Sequence, residues 1–214
     1  MKMLRLALAL AAPLLLASCL LSPGRFTSTL DIRKDRSFTF TYVGEVIVND
    51  PKFTDKDGQS LETPAKPGPP SAEVLAQRRA TADALAKEAG YRTVEYKGGD
   101  KYTVDYAMSG KLDRGFAYPI NLDATAIIPW IVAEVRKDGT VRVKAPAFGD
   151  PSEMLGTGMP TEPAQGREGV FTLTTDAALV MQNNESGLAP GPATKIVWKV
   201  TPTSRAVPTA VVRF

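Results

Sequence analysis

Apolar and polar residues alternate with a period of two near the start of the chain. Residues 29–33 and 37–42 both show this alternation and are separated by Lys34-Asp35-Arg36. Phe38, Phe40 and Tyr42 share one side of the second segment, and Ser37, Thr39 and Thr41 share the other. The pattern predicts a β-hairpin with one packed face and one solvated face.

The same period of two recurs further along. Residues 92–96 and 102–108 flank Lys97-Gly98-Gly99-Asp100, and residues 130–136 and 140–144 flank Lys137-Asp138-Gly139. Glycine in such short connections favours hairpin turns, so two more hairpins are predicted. Further strands are predicted at 170–174, 178–181, 195–201 and 209–214, with Trp198 facing the core.

A helix is predicted over residues 72–89. Ser71 is a suitable N-cap, and Gly90 is a suitable stop. The apolar stripe consists of Val74, Ala82, Leu85 and Ala89. A solvated surface is expected from Arg78, Arg79, Asp83, Lys87 and Glu88. Together the elements predict an α+β fold: a mainly antiparallel sheet built from hairpins, with this helix packed on one face, after an N-terminal signal helix.

Two segments rich in Pro and Gly, residues 51–70 and 145–169, are predicted to be loops. In the first, Asp55-Lys56-Asp57-Gly58 indicates a turn rather than a calcium loop, because the Gly position and the distal Glu do not match. In the second, Met154, Leu155 and Met159 have two interpretations. They contact an apolar ligand, a lipid or a partner, or they fold back over an open sheet edge.

The N-terminus carries an export signal. Lys2 and Arg5 precede an apolar run over residues 6–16, which ends in Leu16-Ala17-Ser18-Cys19. These four residues resemble the lipobox of bacterial lipoproteins. The resemblance implies cleavage between Ser18 and Cys19 and attachment of acyl chains, including palmitate, to Cys19. An ordinary signal peptide with an incidental Cys is the alternative. A spanning helix is disfavoured because the run is shorter than the ~20 residues that a bilayer requires.

The resemblance also implies a location in the cell envelope. Leu20, which follows the Cys, is typical of outer-membrane sorting in Gram-negative lipoproteins and implies a periplasmic orientation. The predicted organisation is a signal peptide at 1–18, an acylated tether at 19–28 and one β-rich domain at 29–214.

Composition excludes several function classes. Removal of residues 1–18 takes away Lys2 and Arg5, and the formal charge falls from +3 to +1. This balance excludes a nucleic-acid binder that works through counterion release. The chain has no His and one Cys. The usual general base and the commonest zinc ligand are therefore absent, and we expect no enzyme activity, cofactor or metal. A carboxylate hydrolase is the less favoured alternative, with Asp100, Asp105 and Asp123 as candidates.

Element order, together with residues 85–94 and the Trp-bearing strand at 197–200, is similar to LppM-type β-rich lipoprotein domains. This resemblance implies a cell-envelope domain without a defined reaction. The expected function is binding of a lipid-like ligand or an envelope protein by a domain anchored in the membrane. A structural scaffold in an envelope complex is the alternative.

Overall fold

The computed structural model describes residues 20–49, 70–119, 129–150 and 166–214. Within these ranges the chain forms eleven strands, one α-helix and one 3₁₀ turn. The strands are β1 (Leu20–Ile32), β2 (Ser37–Asn49), β3 (Tyr91–Gly98), β4 (Lys101–Lys111), β5 (Phe116–Tyr118), β6 (Ile131–Val135), β7 (Thr140–Lys144), β8 (Glu168–Thr175), β9 (Ala178–Gln182), β10 (Thr194–Val200) and β11 (Thr209–Arg213). The helix α1 spans Ala72–Leu85, and the 3₁₀ turn spans Pro146–Phe148.

The strands form two sheets. One has six strands in the order β10-β8-β1-β2-β4-β3, and the other has five in the order β5-β6-β7-β11-β9. Every neighbouring pair is antiparallel except β1 and β8, which are parallel. The predicted α+β class is confirmed. The sequence pattern did not predict the division into two sheets.

The first hairpin is confirmed, but it is much longer than predicted. Residues 20–28 were expected to be a tether, and this prediction is wrong for the described part: β1 starts at Leu20, which pairs with Asn49 of β2. Pro23 and Gly24 lie within this strand. The register shifts between Pro23 and Phe26, so a β-bulge accommodates both residues.

Aromatic rings fill the space between the two sheets. Tyr42 of β2 packs on Trp130 and Tyr118 from the five-stranded sheet, with ring centroids 5.0 and 5.7 Å apart. Phe40 packs on Phe116 and Tyr118 at 5.2 and 5.0 Å. These residues are buried and belong to one cluster with the apolar side chains of both sheets. The face predicted to carry Phe38, Phe40 and Tyr42 is therefore the packed one.

Phe26 of β1 occupies a position that requires glycine on both neighbouring strands. It pairs with Gly44 of β2 and with Gly169 of β8. A Cβ atom on Gly44 would lie 2.4 Å from the Arg25 carbonyl oxygen, and one on Gly169 would lie 2.4 Å from the Phe26 carbonyl oxygen. The Phe26 ring stacks on Phe148 with centroids 4.2 Å apart. Because neither neighbouring residue has a side chain, the large ring of Phe26 fits at this point.

The predicted helix is confirmed with two corrections. It ends at Leu85 rather than residue 89. Beyond this point Lys87 and Glu88 donate to carbonyls three residues back, and the chain then turns through Gly90, whose φ of +93° suits glycine. The buried position is Ala82, while Val74 and Ala89 are exposed. Arg78, predicted to be solvated, forms an ion pair with Asp100 at 2.6 Å and also donates to the Gly99 carbonyl. The helix therefore packs beside β3 through the middle of the predicted stripe, Ala82 and Leu85, while its two ends, Val74 and Ala89, stay exposed.

The remaining hairpins and the four C-terminal strands form as predicted, and Trp198 is buried. Strand β5 was not predicted. Residues 145–150, expected to begin a loop, instead form a buried 3₁₀ turn around Phe148, and the end of that predicted loop, Glu168–Gly169, already belongs to β8. Predictions for residues 51–69 and 151–165, including the turn at Asp55-Lys56-Asp57-Gly58, lie outside the described residues.

Candidate functional site

Several residues proposed from the sequence lie outside the described part of the chain. They are Ser18, Cys19, Asp123, Met154, Leu155 and Met159. The predictions made for these residues stay predictions.

The two described carboxylates nominated for hydrolysis do not converge. Asp100 lies in the turn between β3 and β4, where Arg78 pairs with it. Asp105 lies five residues further along β4, about 16 Å away at the rise of a β-strand. There its Oδ1 is 3.6 Å from Arg92. This separation is larger than that of the paired carboxylates of glycosidases, so these two groups do not form an acid and base pair.

A groove of about 520 Å³ runs across the outer face of the five-stranded sheet. Its lining comes from β7, β9, β11 and the turn between β6 and β7. The side chains that line it are Arg136, Asp138, Thr140, Arg142, Lys144, Val180, Met181, Asn183, Thr209, Val211 and Arg213. We call this set the cationic groove, because four of its eleven members are Lys or Arg.

Strand alternation places these cations on one face. Along β7, Val141 and Val143 point into the core and are buried, so Arg142 and Lys144 point outward. Val211 of β11 lies opposite Arg142, and the outward side chain of Arg213 is two residues further on. Four cations from two adjacent strands and one turn therefore border a single depression.

A β-bulge supplies the apolar side of the groove. Met181 of β9 faces Val211 and Leu179 faces Val212, which leaves Val180 as the extra residue. In a regular strand Val180 and Met181 would point to opposite faces. The bulge redirects one of them, and both line the groove while remaining 49% and 47% exposed. Two adjacent apolar side chains therefore border the cations on the same outer face.

Two carboxylates adjoin the cations, and each is already engaged. Glu134 of β6 accepts from Arg142 Nε at 3.0 Å and from Nη2 at 2.5 Å. Asp138 accepts from the hydroxyl of Thr140 at 2.7 Å and from its backbone N–H at 3.0 Å. These two hydrogen bonds lower the pKa of Asp138. The described charges around the groove are thus four positive and two negative.

The groove was missed by sequence reasoning. The outward alternation of Arg142 and Lys144 within Thr140–Lys144 was a usable signal for a cationic strand face. No local signal located Arg213 beside them, because β7 and β11 are separated by more than sixty residues. The bulge at Val180 also has no marker such as Gly in the sequence.

Two further features bear on the site. Among the described residues, no group of His, Cys, Asp and Glu is large enough to hold a metal ion. Within the same ranges, no helix has the length and apolar character needed to cross a bilayer.

Comparisons with known proteins give one solved structure to report. The chain is similar to the folded domain of the LppM protein of Mycobacterium tuberculosis, solved by NMR, with 17% identity and a TM-score of 0.36. The similarity covers 91% of this chain and 92% of that one. The resemblance indicated by the sequence thus recurs in the comparison of structures. No protein-family model matches the chain, and the search of curated proteins gives no match.

Proposed function

We propose that this protein is an envelope lipoprotein, anchored through Cys19, whose folded domain binds an anionic lipid-like ligand in the cationic groove. The observation that carries the ligand proposal is the pairing of four cations with the apolar pair Val180 and Met181 in one open depression. The anchor rests on the lipobox resemblance of Leu16-Ala17-Ser18-Cys19. The proposed location is the bacterial outer membrane, facing the periplasm.

The arrangement of the groove fits an amphiphile better than a small anion. Lys144 and Arg213 would hold a phosphate headgroup by charge-assisted hydrogen bonds, and Arg142, which is paired with Glu134, would add its charge. The apolar side chains on β9 lie beside them, where an attached acyl chain would cover Val180 and Met181. A free inorganic anion would use only the first of these two features.

The anchor is tested by changing Cys19→Ser in the full-length protein. We expect loss of acylation and loss of the protein from the membrane fraction, and normal acylation and membrane attachment of this variant would rule the anchor out. Mass spectrometry of the N-terminal peptide gives the first readout. Fractionation of inner and outer membranes gives the second.

The ligand is tested with the mature protein in a non-ionic detergent. Water-soluble dihexanoyl phosphatidylglycerol is titrated and compared with dihexanoyl phosphatidylcholine and inorganic phosphate. We expect phosphatidylglycerol to bind tightest. The double variant Arg142→Gln/Arg213→Gln should weaken this binding by about tenfold or more, a loss of about 1.4 kcal/mol.

Two control variants match these changes elsewhere on the surface. Lys195→Gln/Lys199→Gln removes the same charge from β10 in the other sheet, and it should leave binding unchanged. Met181→Gln should weaken phosphatidylglycerol without affecting phosphate, whereas Val43→Gln changes an equally exposed apolar residue of β2 and should have no effect. Equal binding of phosphate and phosphatidylglycerol would show that the groove holds a simple anion instead.

A second function, a scaffold role, is favoured by the edge of β9, beside which no other described strand pairs. This strand ends its sheet and contains no charged residue, whereas exposed edge strands commonly carry charges that discourage pairing. The edge of β10, by contrast, is covered by the segment that follows β9, in which Asn184 donates to the Val197 carbonyl at 2.6 Å. Crosslinking from Gln182 to an envelope protein in intact cells, with no lipid bound by the purified protein, would favour the scaffold.

A further inference from the structure

We propose that the lipid anchor holds this domain upright on the bilayer, with the turn between β3 and β4 against the lipid headgroups and the turn between β1 and β2 farthest from them. This inference rests on the proposed acylation of Cys19. It adds the orientation of the folded domain and the surface that contacts the membrane.

Very little chain separates the anchor from the folded sheet. Leu20 follows Cys19 directly and is already paired with Asn49, so one peptide unit, about 3.8 Å, separates the acylated residue from the sheet. Leu21 is held from two sides. It pairs with Val48, and its carbonyl oxygen accepts from Trp130 Nε1 at 3.2 Å. Trp130 is itself buried in the core, so the start of β1 is part of the folded domain.

The turn between β3 and β4 lies at the same end of the sheet as the start of β1. Val48, the partner of Leu21, donates its N–H to the Asp100 carbonyl at 2.8 Å. The turn Gly98-Gly99-Asp100 therefore ends level with the first residues of β1, two strands away in the sheet. Strands in a sheet are spaced by about 4.8 Å, so the turn lies about 10 Å to the side of the anchor. Both glycines have positive φ, and no atom of the described residues lies within 4 Å of a hypothetical Cβ on either of them.

Strand β1 carries the chain from the anchor to the opposite end of the sheet. From Leu21 to Ile32 the strand rises eleven residues, roughly 36 Å. The turn that follows contains Lys34, whose backbone N–H is bonded to Asp176 at 2.6 Å. The C-terminal Phe214 also lies at this end, with the Arg36 guanidinium 5.1 Å from its ring centre. The two ends of the domain therefore differ in height by most of the length of the sheet.

Two matched labelling variants test this orientation. The chain has one Cys, and acylation blocks it, so a new Cys is the sole labelling site. Lys97→Cys places a fluorophore beside the β3–β4 turn, and Lys34→Cys places one at the opposite end with the same change in charge. The labelled, acylated protein is reconstituted into vesicles that carry a nitroxide on their headgroups, which quenches only at short range. We expect loss of most of the signal at position 97 and no loss at position 34.

A third variant adds a flexible linker after the anchor. Insertion of twelve Gly and Ser residues between Cys19 and Leu20 gives a flexible span of roughly 20 Å. In this variant the difference in quenching between the two positions should shrink severalfold.

The outcomes separate the inference from the proposed anchor. If the protein does not co-sediment with vesicles, the anchor proposal fails. If it co-sediments but both positions are quenched equally, or position 34 more strongly, the orientation is wrong and the anchor stands. Unequal quenching that the insertion leaves unchanged would also overturn the inference, because orientation would then not depend on the short connection.

Discussion

Arg167 is a buried cation that joins two loops of the fold, and its removal has a predictable cost. The residue precedes β8 and is 4% exposed. Its guanidinium donates to three carbonyl oxygens: Ala147 at 3.0 Å, Gly149 at 2.6 Å and Ser204 at 2.8 Å. Burial lowers the pKa of Arg167, which shows that the environment disfavours its charge. The side chain thus ties the 3₁₀ turn after β7 to the turn after β10.

Changing Arg167→Met keeps most of the length of the side chain and removes every donor. Hydrogen bonds from a charged donor contribute about 1.5–3 kcal/mol each, which would give about 4.5–9 kcal/mol for three. Burying the guanidinium costs several kcal/mol, and Nε has no hydrogen-bond partner in the described residues. Loss of the charge relieves both of these costs, whereas the three carbonyls lose their donor. We therefore expect Arg167→Met to lower the free energy of unfolding by about 3 kcal/mol.

The assay is urea denaturation of the full mature protein, followed by far-UV circular dichroism at constant salt. Arg205→Met is the matched control, since Arg205 lies in the same turn, is 69% exposed and pairs with Asp150 at 3.3 Å. An exposed ion pair contributes at most about 1 kcal/mol, so this variant should stay close to the parent protein. Hydrogen exchange gives a local readout: the Asp150 N–H, bonded to the Arg205 carbonyl at 2.8 Å, should exchange faster in Arg167→Met. Equal stability of Arg167→Met and Arg205→Met would refute the reasoning.

Three further predictions concern acid stability, close packing and a helix contact. Hydrogen bonds and charge from Arg25 and Lys101 lower the pKa of Glu45 from 4.5 to about 2, so its stabilising effect is complete above pH 4.5 and is lost as pH falls toward 2. In urea titrations, Glu45→Gln should therefore be less stable than the parent protein by about 1–2 kcal/mol at pH 7, allowing for the exposure of Arg25, and equally stable near pH 2. The same difference in stability at both pH values would contradict this. Gly169→Ala should destabilise by more than 2 kcal/mol in the same assay, because its Cβ would lie 2.4 Å from the Phe26 carbonyl oxygen. Gly115→Ala should destabilise less, because the nearest atom to its Cβ would be 3.3 Å away. The reverse order would count against the close approach of β1 and β8. Ala82→Gln should destabilise by about 2 kcal/mol because this helix position is buried, and Ala84→Gln on the exposed side should change stability by less than about 0.5 kcal/mol. Similar values for both would disprove the packing of the helix through Ala82.

The hairpins are the part of the fold that the sequence predicts best. Period-two alternation around Lys34-Asp35-Arg36 and around the two glycine-containing turns is local information, and all three hairpins form. The helix follows for the same reason, since Ser71 accepts from the Val74 N–H as an N-cap should. The prediction of a tether failed at residues 20–28, because the strand there is stabilised by pairing with β2, and from Arg25 onward also with β8, rather than by local preference.

The groove could not be predicted because its parts come from separate places in the chain. Thr140–Lys144 predicts a strand with two outward cations, and it does so correctly. The placement of Arg213 beside them depends on β11 joining β7, and the apolar side depends on the bulge opposite Val211. Both arise from strand pairing between distant segments.

By itself, the sequence determined the hairpins, the helix and the alternation that separates core from surface, because these follow from the geometry of neighbouring residues. It also contains the lipobox-like segment on which the proposed anchor rests. Only the tertiary structure decided that β8 lies parallel to β1, that the strands divide into two sheets around one aromatic core, and that four cations meet two apolar side chains on an outer face. Pairing between segments far apart is selected by the packing of the whole core, and no short stretch of sequence contains that information.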